Sequence, residues 1–116
     1  MTSESMKDEM NVVSMNIILH AGDSKILIED ALNFVKEFSF DQAKEKMAEA
    51  KKKLVKAHEA QTSLVQDEAS GTEYPNSLLF NHAQDTLMTT MSLFDIATQI
   101  IEIAEMLNNK IDALKK

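Results

Sequence analysis

The sequence predicts an all-α protein, an antiparallel three-helix bundle formed by a single domain over residues 1–116. The chain contains only two glycines and one proline. Apolar residues recur at alternating spacings of three and four over long stretches, which is the period of one helix face. Only one segment, residues 70–77, contains both a glycine and the proline. Because long helices need few chain breakers and sheets usually need many turns, a helical bundle follows.

The first helix is predicted over residues 6–37, and residues 1–5 are expected to be disordered. Its apolar face consists of Met6, Met10, Val13, Ile17, His20, Ser24, Leu27, Ala31, Phe34 and Phe38. Gly22 lies in the middle of this helix, where glycine costs about 1 kcal/mol relative to alanine. We therefore expect a close helix contact at Gly22 to compensate for this cost.

The second helix is predicted over residues 40–69, after a break that lacks both glycine and proline. Ser39 and Gln42 have the spacing of a capping box, in which each side chain accepts a hydrogen bond from a backbone N–H at the helix start. The inward face is predicted to contain Ala43, Met47, Ala50, Leu54, Ala57, Gln61 and Leu64. The small side chains on this face would let neighbouring helices approach closely.

The third helix is predicted over residues 77–114, after the loop SGTEYPNS. Its lower part has a heptad-like seam of Leu93, Ile96, Ile100, Ile103, Leu107 and Leu114. The same face continues upward through Thr89, Asp85 and His82, so these polar side chains are expected to point inward. Helices of roughly 30 residues are about 45 Å long, and three of them leave much of such regular seams uncovered. Self-association into a trimer or a larger bundle is therefore expected.

The composition limits the classes of partner. Nineteen acidic residues against twelve basic residues give a net charge of −7, which disfavours nucleic acid and anionic membranes as partners. The absence of cysteine excludes disulfides, thiolate chemistry and cysteine-based zinc sites. No apolar run approaches the ~18 residues of a membrane span, and the opening MTSESMKDEM lacks the apolar core of a signal peptide. We expect a cytoplasmic protein.

Asp85 is the most costly residue on the predicted inward face of the third helix. An unpaired buried carboxylate is strongly destabilising, and no lysine lies three or four residues away along the helix. Three arrangements are open. The side chain is exposed through a slight rotation of the helix, or it accepts hydrogen bonds from Thr89 or another helix, or symmetry-related copies of it coordinate a hard cation.

His82 lies three residues before Asp85, on the same side of the helix. It is either a satisfied histidine of the core or its rim, or a nucleophile, since a neutral imidazole attacks phosphorus well. No glycine-rich phosphate loop occurs, so a bound nucleotide is not expected. A transition-metal site built from His20, His58 and His82 is a further hypothesis, although their spacings are not those of a recognised ligand pair.

The stretch NHAQDTLMTT, residues 81–90, resembles the signature of enzyme IIA of the lactose/cellobiose type in the bacterial phosphoenolpyruvate-dependent sugar phosphotransferase system. Three further segments resemble the same family in its order and spacing. They are ILHAGDSK in the first helix, KAHEAQT in the second and DEASGTEYP before the third. The resemblance covers the chain from about Ile17 to the C-terminus. It implies that three-helix subunits assemble into a nine-helix homotrimer.

The resemblance also implies roles for individual residues. His82 would carry the phosphoryl group, and Asp85 would bind a divalent metal, taken as Mg²⁺, that three subunits share at the trimer axis. The residues expected near this site are Gln61, Gln84, Thr86 and His58. The family commonly has a second histidine where this sequence has Thr86, so a helper role for that imidazole does not carry over.

The function that the resemblance implies is that of a phosphotransferase component acting in a relay. His82 would accept the phosphoryl group from the histidine-containing phosphocarrier protein and pass it to a cysteine of the IIB component. The sugar, a β-linked disaccharide of the lactose, cellobiose or diacetylchitobiose class, is not determined by the sequence, and membrane contact would occur only through the IIC/IIB permease. The alternative is a non-catalytic helical oligomerisation or scaffold domain, in which His82 and Asp85 only tune the oligomer register.

Overall fold

The computed structural model describes residues 3–115 as three helices: α1 spans Ser3–Lys36, α2 spans Phe40–Ala69 and α3 spans Leu78–Lys115. No strand occurs among these residues, so the all-α, three-helix prediction is confirmed. The helices pack side by side in a rod with principal extents of 70 × 21 × 18 Å. The rod is longer than the expected ~45 Å because α3 has 38 residues and continues past Glu105, which lies beside the turn between α1 and α2.

The first helix begins earlier than predicted. Met1 and Thr2 lie outside the described residues, but residues 3–5 belong to α1, so the prediction of disorder is wrong for them. Glu4 in the first turn interacts favourably with the positive end of the helix dipole. Met10 is buried and Met6 is half-buried, so these turns also have an apolar surface to pack against the rest of the chain.

The turn between α1 and α2 is a Schellman motif. The Ser39 N–H donates to the Phe34 carbonyl oxygen at 2.9 Å, and the Phe38 N–H donates to the Val35 carbonyl oxygen at 2.9 Å. The motif needs one residue with positive φ, which is Phe38 at 62°. The predicted capping box is wrong, because Ser39 has φ −93° and ψ 70° rather than the extended backbone of a capping residue, and its side chain makes no capping hydrogen bond.

Helix α2 ends in the same motif, with glycine at the position of positive φ. The Thr72 N–H donates to the Asp67 carbonyl oxygen at 3.0 Å, and the Gly71 N–H donates to the Glu68 carbonyl oxygen at 3.1 Å. Gly71 has a φ of 108°, a conformation that side chains with a Cβ rarely adopt. The predicted loop over residues 70–77 follows from this turn and is confirmed.

The core consists of two apolar clusters stacked along the rod. One cluster contains Ile28, Ala31, Ala43, Met47, Ala50, Ala97 and Ile101. The other contains Ile17, Leu54, Ala57, Ala83 and Leu87. The predicted inward face of α2 is confirmed, since its apolar members are all buried and Gln61 is half-buried. Between α1 and α2, the Ser24 hydroxyl donates to the Ala50 carbonyl oxygen at 3.0 Å.

The buried face of α1 differs in part from the predicted one. Its fully buried members are Met10, Ser14, Ile17, Ala21, Ser24, Ile28 and Ala31. Val13, Leu27 and Phe34 are half-buried beside this face. Phe38 is exposed because it forms the turn. The expected close contact at Gly22 is wrong, since a Cβ at that position would meet no atom within 4 Å.

The predicted inward face of α3 is also wrong for the single chain. The residues that pack against α1 and α2 are Ala83, Leu87, Thr90, Ala97 and Ile101. This set lies one residue further along than the predicted seam, which turns the inward face by about 100°. The buried set includes alanine and threonine, and these small side chains allow close packing, whereas Ile96, Ile100 and Ile103 of the seam are exposed.

The outward seam makes α3 unusually apolar for an exposed helix. By length and composition alone it could cross a membrane, because an 18-residue window has a mean hydropathy of 1.2 while only 22% of that window is buried. The prediction that the chain has no membrane-spanning segment is therefore not supported by the hydropathy of α3. A single helix of this kind is weak evidence for a membrane span, and subunit association gives it another explanation.

Candidate functional site

His82 occupies the second turn of α3, just after a well-defined helix start. The Ser77 hydroxyl oxygen accepts a hydrogen bond from the Phe80 N–H at 3.1 Å, and the Ser77 carbonyl oxygen accepts one from the Asn81 N–H at 3.1 Å. Ser77 is therefore the N-cap, and α3 begins at Leu78, one residue after the predicted start. The remaining N–H groups of the first turn give this end of α3 a partial positive charge, which favours anions nearby.

The His82 imidazole is exposed and has no hydrogen-bond partner among residues 3–115. Its backbone carbonyl oxygen accepts a hydrogen bond from the Thr86 hydroxyl at 2.9 Å. Because the Thr86 hydroxyl donates its proton to this backbone oxygen, it does not donate to the His82 ring. The ring of His82 is therefore free to meet a partner from outside the chain.

Asp85 is exposed on the same side of α3. Thr89 donates from its hydroxyl to the Asp85 backbone carbonyl oxygen at 2.9 Å, and not to the carboxylate. Within the part of the chain that the structure describes, no hydrogen bond or ion pair reaches the Asp85 carboxylate. Of the three arrangements open for Asp85, exposure describes the single chain.

A metal site is not complete within one chain. Among residues 3–115, no group of three histidine or carboxylate side chains is close enough to hold an ion. The hypothesis of a transition metal bound by His20, His58 and His82 is therefore wrong for the single chain. Asp85 fits a hard cation in donor chemistry, because it is a carboxylate with no competing cationic partner, but it supplies only one residue to such a site.

Two of the predicted site neighbours contact each other. The Gln61 Nε2 donates to the Gln84 Oε1 at 3.1 Å and joins α2 to α3 close to His82. His58 is not brought to His82. It is exposed and borders an apolar groove of about 390 Å³ between α2 and α3, together with Met91. Met91 follows His82 by nine residues, which is about 13 Å along the helix axis.

A cavity of about 300 Å³ lies where the loop enters α3, and sequence reasoning did not find it. Its lining includes Tyr74, Pro75, Phe80 and Gln84. The signal that could have indicated it is the pair of aromatic residues on either side of Pro75. Partial burial, together with a hydrogen bond of 3.1 Å to the Asp67 carboxylate, raises the pKa of the Tyr74 hydroxyl above 10.0.

The second residue with a raised pKa is Lys44, which lies at the other end of the contact between α2 and α3. A hydrogen bond to Glu105 raises the pKa of the Lys44 ammonium above its ordinary value of 10.5. The Lys44 Nζ lies 2.8 Å from the Glu105 Oε1 and joins α2 to α3 at that end. Because the ion pair is exposed, it contributes little to the free energy of unfolding. Its main effect is to hold α2 against α3 at this end.

The chain is similar in sequence to one family over most of its length. The profile of the PTS system, lactose/cellobiose-specific IIA subunit, matches residues 12–105. The chain belongs to this IIA family. Its members are sugar-specific components of the phosphotransferase system, and the suspected resemblance is thus confirmed.

Individual relatives agree with this membership. The lichenan-specific phosphotransferase enzyme IIA component of Bacillus subtilis is 39% identical over 86% of this chain and 91% of the relative. The crystal structure of PtcA from S. mutans superposes with a TM-score of 0.82 at 37% identity, and the match covers 90% of this chain and 99% of that one.

A third relative is known in complex with another protein. The solution structure of the IIA(Chitobiose)–HPr complex of the Escherichia coli phosphotransferase system matches with a TM-score of 0.75 at 33% identity. The match covers 85% of this chain and 96% of that chain. The helical arrangement described above is therefore that of the IIA family.

Proposed function

We propose that this protein carries a phosphoryl group on His82 in a sugar phosphotransferase relay. It accepts the group from the phosphohistidine of the HPr-type carrier and passes it to a cysteine of the IIB component. The observation that carries the proposal is an exposed imidazole, without a partner among residues 3–115, at the start of α3 in a IIA-family protein. The HPr complex of the chitobiose relative supports the first partner.

The relay needs only one nucleophilic nitrogen in this chain. In the first step, a ring nitrogen of His82 forms an N–P bond while the N–P bond of the donor histidine breaks and the donor imidazole leaves with its electron pair. In the second step, a cysteine thiolate forms an S–P bond while the His82 N–P bond breaks. The chain supplies positioning and the helix start, where backbone N–H groups favour the phosphoryl oxygens.

We further propose that the working form is a homotrimer. The exposed seam of α3 continues the side that bears Asp85, and its members are large aliphatic residues. Patches of this kind on a soluble chain are normally covered by a partner. Association along this seam would also place His82 in a crevice between subunits, where the phosphoryl group is less accessible to water.

A divalent cation, Mg²⁺ by the chemistry of its carboxylate ligands, belongs to the same proposal. Three Asp85 carboxylates brought together around an axis repel one another, and a hard cation would turn this repulsion into coordination. When bound, the ion would hold the subunits in register. We expect Mg²⁺ to bind the trimer in a ratio of one ion to three chains and Asp85→Asn to lose it, as measured by titration calorimetry.

The proposal places the protein in the cytoplasm, with membrane contact only through the permease that holds the IIB and IIC components. The sugar is a β-linked disaccharide of the class that includes lactose, cellobiose and diacetylchitobiose. The names of the relatives include lactose-specific and N,N'-diacetylchitobiose-specific components, and both of these sugars are β-linked disaccharides. Uptake of individual disaccharides by a strain that lacks this protein would identify the substrate.

The test is phosphorylation of the purified protein by phosphoenolpyruvate with the two general proteins of the system. We expect the wild type to gain one phosphoryl group in an acid-labile linkage, as seen by mass spectrometry, and His82→Ala to gain none. His58→Ala is the matched control, because it removes another exposed imidazole and should be labelled like the wild type. Equal labelling of His82→Ala would show that the assignment is wrong.

The exposed seam also favours a second candidate, a non-catalytic oligomerisation or scaffold domain. In that case the wild type would take no label under the same conditions. Asp85→Leu would leave the oligomer intact or stabilise it, because replacing a clustered carboxylate by an apolar side chain removes repulsion. Sedimentation velocity of the Asp85→Leu variant, read together with the label, separates the two functions.

A further inference from the structure

The two side-chain hydrogen-bonded links between α2 and α3 lie at opposite ends of their contact. Among the described residues these links are Gln61 with Gln84 and Lys44 with Glu105. Gln61 and Lys44 are 17 positions apart on α2, which corresponds to about 26 Å. Only the Gln61–Gln84 link is near the candidate nucleophile, since Gln84 follows His82 by two residues.

Gln61 is an exception on the inward face of α2. The other members of this face are apolar and buried, whereas Gln61 is a half-buried amide that donates to the Gln84 Oε1 at 3.1 Å. Replacing two hydrogen-bonded polar partners by apolar groups of similar shape is often neutral or stabilising. The contribution of the amide pair to the stability of the chain therefore does not explain its presence. Its position between α2 and α3 indicates a further role.

The link fixes the rotation of α3 about its own axis near His82. The buried residues beside Gln84 are Ala83 and Leu87, which hold α3 against the rest of the chain through apolar contacts, whereas the amide pair adds a directional bond to α2. The Gln84 side chain points towards α2 while His82 points outward, so both move when this turn rotates. A rotation of about 10° moves an atom ~6 Å from the helix axis by ~1 Å. Displacements of that size can cost up to 100-fold in rate.

We propose that the Gln61–Gln84 amide pair is a positioning device that holds His82 in register for phosphoryl transfer. The pair does not touch the phosphoryl group. It acts through the rotation of the first turns of α3. This inference rests on the proposed function, because it requires His82 to be the acceptor.

The experiment compares single-turnover phosphoryl transfer from the phosphorylated HPr-type carrier to three proteins. They are the wild type, the double variant Gln61→Leu/Gln84→Leu and the control Lys44→Met, which removes the link at the far end. We expect the double variant to keep the thermal stability of the wild type within a few degrees. Its transfer rate constant at saturating carrier should fall about 10-fold, while the carrier concentration for half-maximal rate changes little.

The control and a rescue variant separate positioning from general destabilisation. Lys44→Met should transfer at the wild-type rate. Gln61→Lys/Gln84→Glu restores a link of the same two positions through an ion pair and should recover a large part of the rate. Amide hydrogen exchange over residues 78–86 should be faster in the double leucine variant and close to the wild type in the rescue.

The outcomes are distinguishable from failure of the proposed function. If the wild type itself takes no label, the proposed function falls, and this inference falls with it. A labelled wild type together with a double leucine variant that transfers within twofold of it would overturn the inference alone. Equal slowing by Lys44→Met would also overturn it, because the effect would then come from loosening of α2 against α3 in general.

Discussion

Helices α2 and α3 carry apolar faces of similar regularity, but the structure uses them differently. On α2 the predicted face is buried within the chain, from Ala43 to Leu64. On α3 the predicted seam faces outward, and Ile96 and Leu107 are 58% and 52% exposed. The faces differ in side-chain size. The buried faces of α2 and α3 mix small residues such as Ala50 and Ala97 with larger ones such as Leu54 and Leu87, whereas the exposed seam of α3 consists of large aliphatic residues.

Helix α1 likewise has a set of exposed large apolar residues in addition to its buried face. These are Val12, Met15, Leu19 and Ile26, and they recur at helical spacing. Two helices of one short chain thus present apolar surface outward. Regular apolar spacing indicates which helix face packs against a partner, but it does not show whether that partner belongs to the same chain or to another.

The largest expected effect is on assembly. Ile96→Lys introduces a charge into the outward seam of α3 and should convert the proposed trimer into monomers at micromolar concentration, as measured by sedimentation velocity. Val55→Lys is the matched control on α2, where the original residue is 45% exposed. We expect this control to remain trimeric. Monomers from both variants would show that α2 contributes to the same interface.

A smaller effect is expected on the free energy of unfolding, and it distinguishes the buried face of α3 from its exposed seam. In the monomeric Ile96→Lys background, Leu87→Ala should lower the free energy of unfolding by about 2–5 kcal/mol, because Leu87 is fully buried in the chain. Leu107→Ala in the same background should change it by less than about 0.5 kcal/mol. In the trimer, both substitutions should be destabilising in urea titrations. A large loss from Leu107→Ala in the monomer would contradict the assignment of its face.

The smallest effect concerns the C-terminal ends of α1 and α2, which both form a Schellman motif. Phe38 has a φ of 62° and is 67% exposed, so Phe38→Gly should raise the free energy of unfolding by about 1 kcal/mol despite losing its edge contact with Phe40. Gly71→Ala should lower it by a similar amount, since the φ of Gly71 is 108°. Thermal denaturation of both variants tests this pair, and a destabilised Phe38→Gly would show that the aromatic contact outweighs the backbone strain.

The fold could be predicted closely where local signals are strong. The loop from Ser70 to Ser77 contains Gly71 and Pro75, and these residues end one helix and delay the next. The start of α2 could not be predicted in detail, because the capping box of Ser39 competes with a Schellman motif that uses the Ser39 N–H. Both motifs satisfy backbone groups at the same turn, and the sequence does not rank them.

The candidate site could be predicted only in part from the sequence. The motif around His82 and Asp85 indicates the family, and the family profile over residues 12–105 confirms that membership. The prediction that both side chains lie on the inward face of α3 is wrong for the single chain, where both are exposed. The bond between Gln61 and Gln84 depends on how α2 and α3 are rotated against each other, and no spacing along a single helix reveals that rotation.

The sequence by itself determined the number of helices, the position of the long loop and the apolar face of α2, because helical period and chain breakers act locally. Only the tertiary structure decided which side of α3 faces its own chain. That helix is apolar on two adjacent sides, one residue apart in register, so its periodicity is satisfied by either choice. Close packing of Ala83 and Ala97 against the other helices determines which side of α3 is buried. It leaves His82 and Asp85 on the outer surface.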